Sequence, residues 1–130
     1  MTSLISGWVD AHHRATVNVR FRDAHRSFVV PGWIDTGFNG ELLYQGSVPK
    51  EISHILSLTR TEVQVVGGTI RVLQAAAYVD WMNETRKVRM LISPSPLGGK
   101  HSIPLLIGTG MLSGFRLEID YLDQLVRIVR

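Results

Sequence analysis

The chain has 130 residues, a formal net charge of +3 and 45% hydrophobic residues, which predicts one soluble globular domain over residues 1–130 and excludes two packed lobes. It contains no cysteine, so disulfides and thiol chemistry are excluded, and its Lys and Arg residues form no basic stripe for a nucleic acid. No stretch has the apolar length of a membrane span or the pattern of a signal peptide, so we expect a cytoplasmic protein with no membrane partner.

The first predicted elements are two strands that lead to an acidic loop. Residues 15–22 alternate apolar and polar side chains, with Val17, Val19 and Phe21 on one face, which predicts a half-buried strand. Residues 26–34 form the second predicted strand. Proline cannot donate a backbone hydrogen bond, so its presence in the second strand restricts that point to a sheet edge or a bulge.

An aspartate follows the second strand directly, in the sequence Asp35-Thr36-Gly37. A carboxylate beside the apolar Trp33 and Ile34 is costly to bury unless hydrogen bonds or a partner stabilise it, which indicates a chemical role. Gly37 leaves room for another backbone to approach, and Thr36 offers a hydroxyl. The alternative interpretation is structural, with Asp35 capping its own turn at the end of a strand.

One short helix is predicted after the acidic loop. Residues 46–49 are typical of a helix start with proline in the first turn. Apolar residues then recur at helical spacing at Ile52, Ile55 and Leu56, which would bury one face of that helix.

A β-hairpin is predicted next, because residues 63–72 alternate on both sides of Gly67-Gly68 and both glycines can take positive φ. Residues 75–79 favour a strand, although their three alanines leave a helix as an alternative. The segment 93–104 is rich in proline and glycine and is predicted to be irregular. Further strands are predicted at residues 88–92, 105–107, 116–121 and 125–129, the last two as a hairpin. The periodicity therefore predicts an all-β fold with one short helix.

Three pieces occur in an order that is typical of one protein family. They are Asp-Thr-Gly-Phe-Asn-Gly at residues 35–40, the glycine-tipped hairpin, and Leu106-Ile107-Gly108. In this combination the chain resembles the retropepsin-like aspartic proteases of clan AA, in particular their small prokaryotic single-lobe members. The resemblance covers about residues 15–130. It implies a single pepsin lobe, which is a closed retropepsin-like β-barrel with one short helix, forming a homodimer.

The resemblance also implies an activity, that of an aspartic endopeptidase. A water activated by two Asp35 carboxyls across the homodimer axis would hydrolyse a peptide bond of a peptide or protein substrate. We expect strands from both termini, including Ile5, Trp8 and residues 126–129, to interleave at the dimer interface.

The resemblance assigns three groups of site residues. The catalytic loop consists of Asp35, Thr36 and Gly37. The flap that covers the substrate consists of Val66, Gly67, Gly68 and Thr69. The catalytic loop is supported by Leu106, Ile107 and Gly108. No cofactor or metal is implied, and the histidines are too dispersed in the sequence for a metal site.

The sequence departs from the retroviral members at several positions. Thr109 stands where an arginine usually follows the supporting glycine, so the ion pair of that arginine is absent. The flap is poorer in glycine, and Phe38 replaces a small residue, where it either packs in the core or narrows the pocket. The second function class left open is a catalytically inactive dimerisation or peptide-binding module on the same fold. The intact Asp-Thr-Gly favours the enzyme, because a scaffold has no need to bring two acids together at an electrostatic cost.

Overall fold

The computed structural model of the protein describes residues 4–50, 57–65, 67–93 and 104–130. In these ranges the chain forms ten β-strands and a 3-10 helix at Thr109–Met111. The strands are β1 (Leu4–Val9), β2 (Ala15–Arg22), β3 (Ser27–Ile34), β4 (Leu42–Gln45), β5 (Ser57–Val65), β6 (Gly68–Trp81), β7 (Glu84–Ser93), β8 (Leu105–Ile107), β9 (Arg116–Asp120) and β10 (Leu125–Val129). No helix within these ranges is both long and apolar enough to cross a membrane.

Six of the strands close into a barrel. Their order around the ring is β2, β3, β8, β4, β7 and β6, and β6 closes the ring by pairing with β2. The closing pairs are Arg20 with Asp80 and Phe21 with Val79, in antiparallel register. Strand β5 extends the sheet beyond β6, and β1, β10 and β9 extend it beyond β2. The predicted all-β fold with a closed barrel is confirmed.

The interior of the barrel is filled by alternate residues of its strands. Val17, Val19 and Phe21 on β2 are 0% exposed, as their alternation in the sequence predicted. Trp81 at the end of β6 is also buried, and its indole Nε1 donates a hydrogen bond to the backbone oxygen of Met111 at 3.0 Å. That bond satisfies the polar end of a large apolar side chain and ties β6 to the 3-10 helix.

Strand β3 gains a second partner after Pro31. It pairs with β2 from Ser27 to Trp33, whereas β8 pairs with it in parallel only from Gly32 onwards. Among the described residues, Pro31 therefore pairs with β2 alone, which suits a residue without an N–H. A Cβ at Gly32 would lie 2.9 Å from Cδ1 of Ile107, so the glycine allows β8 to pack closely beside the end of β3.

The hairpin with the glycine tip is present and lies between β5 and β6. Gly67 and Gly68 have φ of +94° and +144°, as predicted for that turn. Gly68 already pairs with Val65, so the tip is offset by one residue from the predicted Gly67-Gly68 centre. Residues 75–79 continue in β6, and the helix alternative is wrong, because Ala75 and Ala77 are buried on the inner face of the barrel.

The two ends of the chain pair with each other. Strand β10 lies between β1 and β9 and is antiparallel to both. The hairpin β9–β10 confirms the predicted strands at 116–121 and 125–129. Strand β1 contains Ile5 and Trp8, which were expected in an N-terminal strand, although no alternation in the sequence defined its bounds. The predicted helix at residues 46–56 and the predicted irregular segment at 93–104 lie largely outside the described residues, and the homodimer stays a prediction.

Candidate active site

The loop that carries Asp35 begins where β3 ends. The backbone N–H of Asp35 donates to the carbonyl oxygen of Ile107 at 2.8 Å, so the parallel pairing of β3 and β8 extends one residue into the loop. The Oδ1 atom of Asp35 accepts from the backbone N–H of Gly37 at 3.0 Å. The carboxylate therefore caps its own turn, as the structural interpretation expected, and that bond uses only one of its two oxygens.

The 3-10 helix and the end of β8 hold the rest of the loop by backbone hydrogen bonds. Gly108 N donates to Glu41 O at 2.8 Å, and Gly110 N donates to Gly40 O at 3.0 Å. Thr109 N donates to Phe38 O at 2.8 Å, and the Thr109 hydroxyl donates to the same oxygen at 3.3 Å. Thr109 therefore supports the loop by hydrogen bonding at the position where retroviral members carry arginine.

Gly108 is the residue at which the chain after β8 comes closest to the loop that carries Asp35. A Cβ at this position would overlap the carbonyl oxygen of Gly40 and would lie 2.6 Å from Cδ2 of Phe38. Only glycine fits there, because a backbone oxygen cannot turn aside as a flexible side chain can. The predicted support residues Ile107 and Gly108 thus both contact the loop that carries Asp35.

Phe38 packs away from the acid. It lies against a small apolar cluster of Leu43, Val72 and Leu91, together with Leu106. It does not line the cavity beside Asp35. Of the two alternatives for this side chain, packing in the core is therefore the one that the structure shows.

A cavity of about 600 Å³ opens beside Asp35. Its lining residues are His13, Arg14, Ala15, Trp33, Ile34, Asp35, Thr36, Leu43, Gln45, Leu106, Ile119 and Tyr121. The walls thus combine apolar side chains with a few polar groups, which is the composition of a binding cleft. Of the residues predicted for the site, the cavity brings together Asp35, Thr36 and Leu106.

The three predicted flap residues that the structure describes do not line this cavity. Gly67, Gly68 and Thr69 are exposed at the tip of the β5–β6 hairpin. A Cβ added at either glycine would meet nothing within 4 Å, so the tip stands in open space. Val66, the fourth predicted flap residue, lies outside the described residues.

Sequence reasoning missed a hydrogen-bonded group of residues that includes Trp33 and Arg14 on the cavity wall. The indole Nε1 of Trp33 donates to Oδ2 of Asp10 at 2.7 Å. Oδ1 of Asp10 accepts from the backbone N–H groups of His12 and Arg14, at 2.8 and 3.1 Å. The guanidinium carbon of Arg14 lies 3.9 Å from the centroid of the Trp33 ring, which is cation–π geometry.

The pKa of Asp10 is lowered by the hydrogen bonds that it accepts. Its burial acts to raise the pKa, but the hydrogen bonds from Arg14, Trp33 and His12 together bring that pKa below the ordinary 3.8. An ionised Asp10 accepts all three hydrogen bonds, so it fixes the indole of Trp33 and the turn before β2. The signal available in the sequence was an aspartate placed to cap the turn before a predicted strand, and nothing there linked it to Trp33.

No family model matches the sequence, and no curated protein matches it. Among solved structures, 11 chains match. One is a retropepsin-like aspartic protease from Rickettsia conorii, at 17% identity and a TM-score of 0.63, covering 99% of this chain and 92% of that one. Another is EIAV protease in complex with the inhibitor HBY-793, at 17% identity and a TM-score of 0.52, covering 79% of this chain and 88% of that one.

The architecture is therefore that of an aspartic protease lobe. The chain has the retropepsin-like fold, as its sequence predicted. At this level of identity the likeness concerns the fold, and activity has to be argued from the residues of the site.

Proposed function

We propose that the protein is an aspartic endopeptidase that acts as a homodimer, with Asp35 of each copy as a catalytic carboxyl. The observation that carries the proposal is the Asp-Thr-Gly loop at the end of β3, which is held by Ile107 and opens onto a cavity in a retropepsin-like fold. A turn-capping aspartate needs no cavity beside it. A carboxylate that must meet a water and a peptide does need one.

The reaction uses two carboxyls that share one proton. The ionised carboxyl takes a proton from a water as the water oxygen attacks the carbonyl carbon of the scissile bond, while the protonated carboxyl donates a hydrogen bond to the carbonyl oxygen. The tetrahedral intermediate then collapses, the C–N bond breaks, and the carboxyl that took the proton from the water passes it to the departing amine. One chain supplies one Asp35, so a second copy is required, and a twofold axis brings the two loops together.

The other predicted site residues take supporting roles in this proposal. The N–H of Gly37 orients the Asp35 carboxylate, and the Thr36 hydroxyl is available to bond across the dimer. Leu106 forms part of the cavity wall, and Ile107 and Gly108 hold the loop from behind. The tip formed by residues 66–69 closes over a bound peptide as an added strand, which requires it to move from its open position.

The deciding experiment replaces Asp35 with Asn and measures cleavage of unstructured peptides at about pH 5, where a carboxyl pair can hold one proton. We expect a folded protein whose hydrolysis is lost, since Asn cannot act as the base. Asp23→Asn is a matched control, because Oδ1 of Asp23 caps an exposed turn through the N–H groups of His25 and Arg26. Asn is also a good cap, so this control should cleave like the wild type.

The same pair of variants tests the second function class, an inactive dimerisation or peptide-binding module. If Asp35 only caps its turn, Asp35→Asn will behave like Asp23→Asn in every respect. Undiminished cleavage by Asp35→Asn would refute the proteolytic proposal. Absence of any cleavage by the wild type, together with retained peptide binding, would favour the module.

A further inference from the structure

Arg14 lies on the wall of the candidate active site, and the proposed reaction does not use it. Its side chain is exposed, and it lines the same cavity as Asp35. Among the described residues that line the cavity it is the one with a permanent positive charge, since the others that can ionise are His13, Asp35 and Tyr121. Within the described part of the chain, its guanidinium makes no ion pair. The charge can therefore bind a ligand.

The backbone of Arg14 is held by the turn between β1 and β2. The N–H of Asp10 donates to the carbonyl oxygen of Arg14 at 3.0 Å, and the hydroxyl of Thr16 donates to the same oxygen at 3.1 Å. The N–H of Arg14 donates to Oδ1 of Asp10 at 3.1 Å. These three bonds fix the point from which the arginine side chain enters the cavity wall.

The side chain of Arg14 is positioned by Trp33. Its guanidinium carbon lies 3.9 Å from the centroid of the ring, so the guanidinium lies against the face of the indole. The indole is itself held, because it is 3% exposed and its Nε1 donates to Oδ2 of Asp10 at 2.7 Å. Contact through the face leaves the N–H groups at the edge of the guanidinium free to bind a carboxylate in a fork. A side chain ordered in advance loses less entropy when it binds.

A purely structural role for Arg14 would be to cover Trp33 with the apolar part of its side chain. That role requires no charge, and an unbranched apolar residue would serve it equally well. The charge does matter for a ligand, because Asp35 in the same cavity is itself an acid. An ionised Asp35 repels an incoming carboxylate, and the guanidinium of Arg14 offsets that repulsion.

We propose that Arg14 is a specificity-determining residue that binds an acidic side chain of the substrate, so that peptides with Glu or Asp near the scissile bond are preferred. The inference rests on the proposed function, in which the substrate is a peptide, and it names the class of that peptide. The guanidinium and the side-chain carboxylate form a charge-assisted pair of hydrogen bonds in the cavity. A C-terminal carboxylate offers the same oxygens, but an endopeptidase cuts inside a chain, which favours a side chain as the source.

The test uses peptides that differ only by Glu or Gln at one position. That position is moved along both sides of the cleaved bond, and every C-terminus is amidated. The Gln peptides are also made with a free C-terminus, which separates the two sources of a carboxylate. The value of kcat/KM is measured for each peptide. Binding of the same peptides is measured by calorimetry on Asp35→Asn, with and without a second substitution at Arg14.

Two arginine variants are compared. Arg14→Met keeps an apolar side chain against Trp33 and removes the charge. Arg20→Met is the matched control, because Arg20 is exposed on β2, lies outside the cavity and donates to the hydroxyl of Ser27 at 3.0 Å. Both substitutions change the net charge of the protein by the same amount, so a general effect of charge would appear in both.

At about pH 5, where most of a peptide glutamate is ionised, we expect wild type and Arg20→Met to prefer the best-placed Glu peptide. The preference in kcat/KM should be about five- to tenfold, between that of an exposed ion pair and that of a hydrogen bond to a buried charge. Arg14→Met should reduce the ratio to about one. In the wild type the ratio should also decrease as the pH falls through about 4.3, where the substrate glutamate takes up a proton. The Gln peptide, measured at each pH, accounts for the titration of His13, Asp10 and Asp35.

The inference would be overturned by a Glu preference that persists in Arg14→Met, or by its absence from both cleavage and binding. A preference for the free C-terminus in place of Glu would overturn the assignment to a side chain. Equal cleavage and equal binding of the Glu and Gln peptides would refute the role of Arg14 and leave the protease proposal intact. A Glu preference in binding that depends on Arg14, without any cleavage by the wild type, would support recognition of the acid and count against the protease.

Discussion

Replacing Gly108 with Ala should weaken the loop that carries Asp35. The backbone conformation of Gly108 is one that alanine can adopt, so the effect comes from the close contacts alone. The new methyl group would overlap Gly40 O and lie 2.7 Å from Phe38 O. Neither oxygen can move without its backbone. The end of β8 must therefore shift away from the loop, and the three backbone hydrogen bonds donated by residues 108, 109 and 110 stretch with it.

The magnitude follows from two contributions. Inserting a methyl group into a packed site costs about 1–3 kcal/mol. A whole backbone hydrogen bond contributes about 0.5–1.5 kcal/mol. If stretching costs about 0.7 kcal/mol for each of the three bonds, the free energy of unfolding of Gly108→Ala should fall by roughly 3–5 kcal/mol. For a domain of this size, that loss corresponds to a decrease in Tm of roughly 10–20 °C.

Gly46→Ala is the matched control for this prediction. Gly46 has φ of +94°, and an added Cβ would meet nothing within 4 Å, so only the left-handed backbone is penalised, by about 1–2 kcal/mol. Thermal and urea denaturation of both variants, with peptide cleavage measured well below each Tm, separate stability from loop geometry. Equal losses of stability in the two variants would show that the close approach at Gly108 does not constrain the loop.

Two further predictions concern acids that accept several hydrogen bonds. Asp10→Ala leaves the N–H of the buried Trp33 without its acceptor, so the free energy of unfolding should fall by about 1–3 kcal/mol in urea denaturation followed by fluorescence, and an unchanged midpoint would contradict this role. Hydrogen bonds from Arg22 hold the pKa of Asp80 below the ordinary 3.8. A lowered folded-state pKa contributes stability above the unfolded pKa, and this contribution is lost as the pH falls through the folded value. The free energy of unfolding of the wild type should therefore exceed that of Asp80→Asn by no more than about 1 kcal/mol at neutral pH, because the Arg22–Asp80 ion pair is partly exposed. This advantage should be lost as the pH falls through the lowered pKa of Asp80, and a difference independent of pH would contradict the ion pair.

The parts of the fold that sequence could predict are those encoded by local patterns. The alternation in β2 and the glycines at the β5–β6 tip each specify their own element, and the structure has both. Strand β1 could not be predicted in this way, because Leu4 and Trp8 are apolar on its exposed face and Gly7 disfavours a strand. Gly7 is required there by a tertiary contact, since a Cβ would overlap Thr16 O and lie 2.6 Å from Cγ1 of Val17.

The candidate site was predictable only where it is continuous in sequence. The residues of the Asp35 loop are consecutive in the sequence. The position of Ile107 and Gly108 after that loop matched the order of motifs in the retropepsin-like family. The bond between Asp10 and Trp33 joins residues 23 positions apart on different elements, and no periodicity reports such a contact. The hairpin tip at Gly67 was predicted as a local turn, but its distance from the cavity depends on the curvature of the whole sheet.

The bracing of the acid loop by the segment after β8 has a consequence for the order of folding. Thr109 and Phe38 are 71 positions apart, so a large part of the chain has to be ordered or closed into a loop before this contact can form. Domains fold during synthesis from the N-terminal side, and the hairpin of β2 and β3 is complete long before residues 105–111 are made. We expect a nascent chain to hold Asp35 at the end of a formed strand before the hydrogen bonds from residues 108–110 to its loop can form. A chain that ends before residues 105–111 therefore lacks the three backbone hydrogen bonds that hold the loop of Asp35.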